Sequence, residues 1–573
     1  MTSQPVASCQ AATLLVYSDS EALQVVATPE FQSQWRTLAH QCPWGTALQT
    51  PEFACTWYQC YRDVYRPLVL VRYAPGGGMD GLMALATERS NGELTFAGAH
   101  QAEYNVWLAL PGEQTFIVDA LNRLQQLGFS SLTFTYLPPG TPLEWLQAGW
   151  NRRSTIRAVQ RPLLTVDNIE AVRDSLNKKK NRRRLEKLQA DSPLRFLELH
   201  TPDELDAYYD QLIDFCDFRT GAVHGTCPFR EDARKRAFYS ALMAQDGLLH
   251  VTIMTIGQRL VAAHIGLRNK SEVMLGIVAH SPFLAAHSPG KLHILHLGLL
   301  LHEEGYSNLD LTPGGDAYKE DRATRYDEAY LLSIFLSSKA WARHRFASTT
   351  RSAAKRAGSI LHLNKEKLSP LRSYARHPIS SLGSLFRSIK DRIWSSTELR
   401  FYRAETNAAP HTSDTIRRDS LQDLLAYEQV DESSLSKRDF LGNAISNIER
   451  GMHSYSIVQG DVLVVCAWLT TRTGQSLTTE VRHTYEYPPN SALLEQIWTH
   501  PSYRGPGLCS RALQHILNDA ASAGNVEFVY IAVPAGDRAC RRALETTGFK
   551  YQNSIIRKVR FGATTVIVAQ NPA

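Results

Sequence analysis

Short apolar runs alternate with amphipathic stretches along most of this chain. Leu68-Val69-Leu70-Val71-Arg72-Tyr73 and Leu132-Thr133-Phe134-Thr135-Tyr136 read as strands, and residues 114–127 repeat apolar positions at helical spacing. Residues 166–338 continue the mixture and end in a buried-looking strand around 329–336. The pattern then changes. From Lys339 to about Ser396, Ser, Arg and Lys dominate, and Ile379, Leu382, Leu385, Phe386, Ile389, Ile393 and Trp394 recur at helical spacing. That stripe, with Arg387, Lys390 and Arg392 between its members, suits a helix over 379–394 that packs on a folded unit or lies on an anionic membrane. From Leu399 the strand–helix alternation resumes. An apolar strand ending at Ile497-Trp498-Thr499 meets a glycine turn, then a helix over about 508–523 and a strand over 528–533. The expected organisation is 1–165, 166–338, a basic helical linker 339–398, and 399–573. A length of 573 residues agrees with three to four domain-sized units of roughly 150 each.

A glycine turn that opens a helix leaves backbone N–H groups free at the positive end of the helix dipole, a ready seat for a pyrophosphate. Here Arg504 adds a charge, Gly505, Gly507, Leu508 and Cys509 supply backbone, and Pro506 takes one N–H away. On the preceding strand, alternation puts Leu493, Glu495 and Ile497 on one face, so Glu495 is a base near the turn or a solvated edge residue. In mid-chain, Ser288-Pro289-Gly290-Lys291 precedes a helix over 292–304. It is a second phosphate turn, with Gly290 and Lys291 offering N–H groups and charge, or a Pro-started helix capped by Ser288. Gly314-Gly315-Asp316-Ala317-Tyr318-Lys319 follows a strand. Its glycines allow close backbone approach, and Asp316 and Lys319 bring opposite charges to the strand's end, as a site or as a surface ion pair. His264 and His287 near these blocks are structural or basic. The run 178–187, seven basic residues and one acid, is a phosphate rail or a solvated helix face, with no interleaved aromatics to stack bases.

The order Arg504-x-x-Gly507 after a strand resembles motif A of the GNAT superfamily of N-acetyltransferases, where this turn holds the pyrophosphate of acetyl-CoA. Asp537 to Phe549, after the strand 528–533, resembles motif B. Asp537 stands at the usual Asn, Leu544 at a Tyr that often protonates the departing thiolate, and Cys509 at a Gly or Ala. Residues of about 30–340 resemble the CelD/BcsL-type acyltransferases, relatives of the FemAB-type transferases built from two GNAT-like halves. The blocks that carry this likeness are 176–188, 257–267, 287–292 and 304–319. The resemblances imply an α+β chain of three GNAT-like modules, two in tandem plus one C-terminal, each a twisted mixed sheet flanked by helices. They imply acetyl-CoA or another acyl-CoA as cofactor. Arg504, Gly505, Gly507, Leu508, Cys509, Asp537, Gly290 and Lys291 would bind it, and Glu495, Asp316 and Lys319 would be catalytic. The implied activity is N- or O-acyl transfer to an amine or saccharide in bacterial exopolysaccharide, cellulose or glycolipid synthesis. FemAB-like aminoacyl transfer from tRNA, and a catalytically degenerate adaptor of a polysaccharide synthase, are the other readings.

Charge refines this picture. Residues 339–400 hold 14 Lys/Arg against Glu366, Asp391 and Glu398, an excess of eleven, so with a net charge of +6 the rest carries about five negative charges. The basicity belongs to the linker, which points to an anionic membrane surface or a synthase as partner and away from nucleic acid. The nine cysteines include no CxxC pair and no zinc-like spacing, so no metal is expected and free thiols in a reducing compartment are. Residues 1–11 are polar, with no basic-then-apolar leader, and the expectation is a cytoplasmic protein, peripheral to the inner membrane face if the linker binds it.

Overall fold

The structure is a computed structural model that describes residues 13–167, 169–190, 192–348, 394–406, 415–431, 434–471, 474–478, 480–505, 507–522, 524–561 and 563–570. These fall into two compact units, residues 1–216 with 228–355, and residues 217–227 with 356–573.

The first unit holds two sheets. In the first, β1 (Thr13–Ser18), β2 (Tyr65–Tyr73), β3 (Met79–Glu88) and β4 (Leu94–Phe96) pair antiparallel in that order, and β5 (Leu108–Ala109) joins β3. The run expected from residue 68 is the middle of β2, and Leu68 to Val71 are buried. Helices Pro29–Gln41, Pro51–Cys60 and Thr115–Gln126 enclose a core of Trp35, Phe53, Trp57, Trp107 and Phe116.

The second sheet takes β6 (Ser131–Leu137), β7 (Ser154–Thr165), β8 (Leu194–Leu199), β9 (Leu249–Ile256), β10 (Arg259–Asn269), β11 (Glu272–His280), β12 (Asn308–Asp310) and β13 (Arg325–Phe335). Their order is β6-β13-β7-β12-β11-β10-β9-β8. β11 and β12 run parallel and the other neighbours antiparallel. The boundary expected at residue 165 is corrected here. β6 and β7 precede it in sequence, yet both are strands of the second sheet, and β7 lies wedged between β12 and β13. Burial of Leu163 and Leu164 ties β7 to this core. The helix Pro289–Glu303 covers one face with Leu292, Ile294, Leu297 and Leu301. The basic run makes two helices, Glu170–Asn177 and Lys179–Leu188, because Lys178 breaks from helical geometry with ψ 131°.

The second unit repeats the plan. β14 (Trp394–Glu405), β15 (Arg417–Arg418), β16 (His453–Gln459), β17 (Val462–Thr470), β20 (Ser491–Thr499), β21 (Phe528–Pro534), β22 (Lys550–Arg560) and β23 (Ala563–Gln570) form one sheet, and β18 (Gln475–Thr478) pairs with β19 (His483–Glu486) beside it. The order is β15-β16-β17-β20-β21-β14-β22-β23, with β20 parallel to β21. β14 is wedged between β21 and β22, as β7 is between β12 and β13. Trp394 therefore opens a strand, with the Arg560 guanidinium 3.7 Å from its ring centre, instead of closing the expected helix. Residues 379–393 lie outside the described residues. Residues 338–348, where the linker was expected to begin, are helical. Among the described residues, no helix is long and apolar enough to cross a membrane.

Candidate functional site

Each unit contains one pair of parallel strands that forks. β11 pairs with β12 from Glu272↔Asn308 to Met274↔Asp310, then runs on to His280 beside β10 alone. β20 pairs with β21 from Ser491↔Phe528 to Leu494↔Ile531, then runs on to Thr499 beside β17. A bulge bends the longer strand at the same offset in both. Register shifts at Gly276 of β11, two residues past Met274, and at Gln496 of β20, two residues past Leu494, where Gln496 has φ 52°. An unpaired extra residue twists a strand away from its neighbour, which opens the fork. Both bulge residues are exposed.

The bulge corrects the expected alternation on β20. Leu493 packs with Phe401, Val481, Tyr487 and Tyr530, whereas Ile497 packs on the opposite cluster with Leu494, Leu508 and Leu513. Glu495 is half-buried and its Oε2 lies 3.4 Å from Nη2 of Arg450. The same Arg450 nitrogen donates to Asn447 Oδ1, and Asn447 Nδ2 donates to Gln496 Oε1 at 2.9 Å, so the bulge is fixed by a buried amide.

Beyond β20 the chain turns through His500 to Gly507. His500 Nδ1 accepts from the Ser502 N–H at 3.2 Å, and Arg504 is exposed. Gly505 and Gly507 have φ of 110° and 75°, and among the described residues a Cβ on either would meet nothing within 4 Å, so both present open backbone. Among the described residues, the first helical bond runs from the Arg511 N–H to Gly507 O, and the N–H groups that open the helix, from Leu508 on, have no described carbonyl partner. Cys509 is a half-buried side chain against the same core, and burial raises its thiol pKa. Burial, then Asp537, pushes the neighbouring Cys540 thiol up to about 12. Asp537 caps the helix Arg538–Thr546, its Oδ1 accepting from the Cys540 N–H at 3.0 Å. Leu544 is fully buried in the core.

At the fork of β11 and β12 the turn is differently built. Ser288 has φ 51° and its side chain caps nothing, which removes the Ser-cap alternative. Its carbonyl instead accepts from the N–H groups of Lys291 and Leu292 at 3.1 and 3.2 Å. Gly290 is buried, and His280 fills the space 2.7 Å from where its Cβ would stand, so this glycine lets the helix start pack on the end of β11. The turn is cationic. Burial, then Arg322, Arg184 and Lys178, lowers the pKa of Lys291, and burial, then Lys187 and Arg184, lowers that of His287. The basic helix Lys179–Leu188 thus faces this turn.

Asp310, between Leu309 and Leu311 of the helix-facing cluster, points to the other face of the sheet. It is fully buried. Burial raises its pKa and outweighs Arg161, whose Nη1 lies 3.1 Å from Oδ2. Arg161 also holds Glu272 at 3.0 Å and Asp327 at 2.7 Å, clamping β7, β11, β12 and β13 below the fork. Lys319 is buried, and its Nζ donates to Thr312 Oγ1 at 3.1 Å, with Asp316 Oδ2 at 3.5 Å. Gly314 runs against that ammonium group. Asp316 and Lys319 therefore sit together. Lys291 sits with Arg322 and Asp321, further along the same segment. His264 is fully buried on β10 with both ring nitrogens lacking hydrogen bonds, a core residue. Among the described residues, one group of three has metal-ligand spacing, Glu198, His250 and Glu304, and it surrounds Arg268, which pairs with both carboxylates. Sequence reasoning passed over both bulges. A lone glycine within a strand, as at Gly276, is the usual mark of one, whereas Gln496 carries none.

Residues 175–320 match the family model described as acetyltransferase (GNAT) domain, and residues 421–549 match the one described as acetyltransferase (GNAT) family. These matches span the two forks, so the chain carries GNAT-like folds in tandem and a C-terminal GNAT module, and they support an acyltransferase. Solved structures that resemble the chain include a tandem GNAT protein from the clavulanic acid biosynthesis pathway, at 13% identity and TM-score 0.34, covering 57% of this chain and 99% of that one. L-PGS from Bacillus licheniformis is similar at 10% identity and TM-score 0.36, covering 54% and 92%. FemX is similar at 9% identity and TM-score 0.36, covering 53% and 94%. A comparison with curated proteins gives no match.

Proposed function

We propose that the chain is an acyl-CoA-dependent N- or O-acyltransferase that seats an acyl-CoA at each fork. The observation that carries this is the repeated bulge two residues past the last parallel pair, followed in both units by a turn into a helix. The residues fit the ligand. The open backbone cradle at Gly505 and Gly507, and the cations around Lys291, suit a pyrophosphate. Bound there, the thioester supplies an activated acyl group. With it bound, the exposed backbone at Gly276 or Gln496 would be the group available to polarise the carbonyl oxygen, and the fork would hold the acyl group for the acceptor. Glu495 is a base candidate in the second unit, and Lys319, its ammonium wrapped by Thr312 and Pro313, holds the loop that carries Asp316. With Leu544 in the core, proton return to sulfur falls to water or Tyr503.

The pathway, bacterial surface polysaccharide or glycolipid synthesis of the CelD/BcsL type, comes by analogy with that family. Residues 339–398 would bring the chain to an anionic membrane face or a synthase there, which vesicle co-sedimentation that ignores salt would refute. A second reading, aminoacyl transfer from tRNA, is favoured by the basic helix at the Lys291 turn; transfer that needs tRNA would establish it. For the first reading, acetyl-CoA should raise the melting temperature of the full chain. Asp316→Asn and Lys319→Ala should lower activity of the first unit about 100-fold while the fold persists. No shift at millimolar acetyl-CoA would refute it.

A further inference from the structure

The bulges of β11 and β20 are built differently. At Gly276 the extra residue has no side chain, and a Cβ there would stand 2.6 Å from the Ile265 carbonyl oxygen of β10. At Gln496 the extra residue keeps its side chain and takes φ 52°. An L residue in that region is strained, and the conformation persists only where the surroundings over-determine it.

Here a side chain does so. Asn447 is buried on the helix Lys437–Glu449, and its Nδ2 donates to Gln496 Oε1 at 2.9 Å. Arg450 Nη2 donates to Asn447 Oδ1. A guanidinium only donates, so Oδ1 faces Arg450, Nδ2 faces Gln496, and Gln496 presents its carbonyl oxygen. The end of the helix is itself closed. The Met452 N–H donates to Asn447 O at 3.0 Å and the Gly451 N–H to Ile448 O at 2.8 Å, a Schellman ending with Gly451 at φ 77°. Phe440, Leu441, Ala444 and Ile448 bury the same helix. A rigid, buried amide thus gives its donor to an exposed residue that adds nothing to the core. Strain held in place at the mouth of a fork points to position rather than packing.

We propose that Asn447 is a positioning residue for acyl transfer in the second unit. Through Gln496 it holds the bulge peptide turned into the β20/β21 fork, where a backbone N–H meets the thioester carbonyl. The proposal rests on the acyl-CoA reading of that fork. Asn447 itself touches neither cofactor nor acceptor. Its effect falls on the acyl carbonyl and not on the pyrophosphate, which belongs to the turn at Gly505 and Gly507. Gly276 makes the first unit's bulge without a side chain, so dependence on such a latch belongs to the second unit.

The test uses the full chain and acetyl-CoA isotopically labelled at its carbonyl carbon, read by infrared difference spectra. The band lost on Gly507→Val, which blocks the C-terminal turn, is that of the second unit. It should lie below the frequency of free acetyl-CoA. Asn447→Leu should return it to the free frequency and weaken acetyl-CoA at that seat about tenfold, the scale of one hydrogen bond. CoA, which has no acyl carbonyl, should bind as before. Gln496→Ala cuts the same bond from the exposed side, spares the core, and should have the same effect. Glycine takes positive φ without strain, so Gln496→Gly added to Asn447→Leu should recover most of the lost shift. An unmoved band in Asn447→Leu or Gln496→Ala, an equal loss of acetyl-CoA and CoA, or no recovery in the double variant would overturn the proposal and leave Asn447 a residue of the fold alone. If Gly507→Val removes no band and changes no CoA binding, the acyl-CoA reading of this fork falls as well.

Discussion

Buried imidazoles show what single residues decide here. Burial holds the His264 pKa down to about 3, and burial, then His264 and Arg268, holds His250 down to about 2. In the unfolded chain each takes a proton near pH 6.5. Below that pH the unfolded state binds more protons, so stability falls as pH drops, by about 1.4 kcal/mol per pH unit for each such histidine until its folded pKa is reached. The first unit should therefore melt at a lower temperature at pH 5 than at pH 7.5, and His264→Leu should narrow that gap in calorimetry. An equal gap in the variant would show that other groups set the acid lability. Much at this scale is readable from sequence, because glycines and charges at strand ends are chemically distinctive. Gly505, Gly507, Asp316 and Lys319 stand out in that way. Glu495 stands out too, but not its surroundings, since nothing marks Gln496 as the residue that breaks alternation and sends Leu493 and Ile497 to opposite faces.

Elements locate the site by forking, and Arg161 holds the unforked end of β11 and β12 together. Its guanidinium meets Asp310, Glu272 and Asp327, from three strands. Arg161→Met leaves a fully buried carboxylate without its cation, a change that costs on the order of 3–5 kcal/mol. The urea midpoint of the first unit should fall accordingly, and a midpoint within error of wild type would mean that Asp310 is neutral in the native state. Helices are where periodicity reads best. The expected 114–127 and 508–523 are Thr115–Gln126 and Leu508–Ser522, since an amphipathic stripe and a flanking turn fix both ends. The run 176–188 differs because the backbone at Lys178 leaves the helix. Strand pairing reads worst. β7 and β14 each look like local strands, and no nearby pattern encodes that they insert between distant partners.

At the scale of the whole molecule, the boundary at 165 shows why domain limits drawn from sequence slip. Composition changes where solvent exposure changes, and β6 and β7 enter the second sheet with no such change. The excess positive charge of residues 339–400 does mark a change, and the second sheet-forming segment begins close to it, at Trp394. What the molecule repeats is a fork, a bulge and a turn, one set in each compact unit. The proposed seat at each fork predicts two acetyl-CoA molecules per chain. Gly507 sets up a clean separation of them. A Val there has open space but a φ of 75°, which L residues adopt at a cost of roughly 1–2 kcal/mol, and its side chain would occupy the cradle. Calorimetry should give a stoichiometry of about two for the natural chain and about one for Gly507→Val. At a hundredfold excess over Kd each occupied seat stabilises its own unit by about 2.7 kcal/mol. The variant should then keep the ligand-induced shift of the first unit's melting and lose that of the second. A stoichiometry of one in the natural chain, unchanged by Gly507→Val, would place acyl-CoA at the β11/β12 fork alone and leave the C-terminal module a GNAT fold without its ligand.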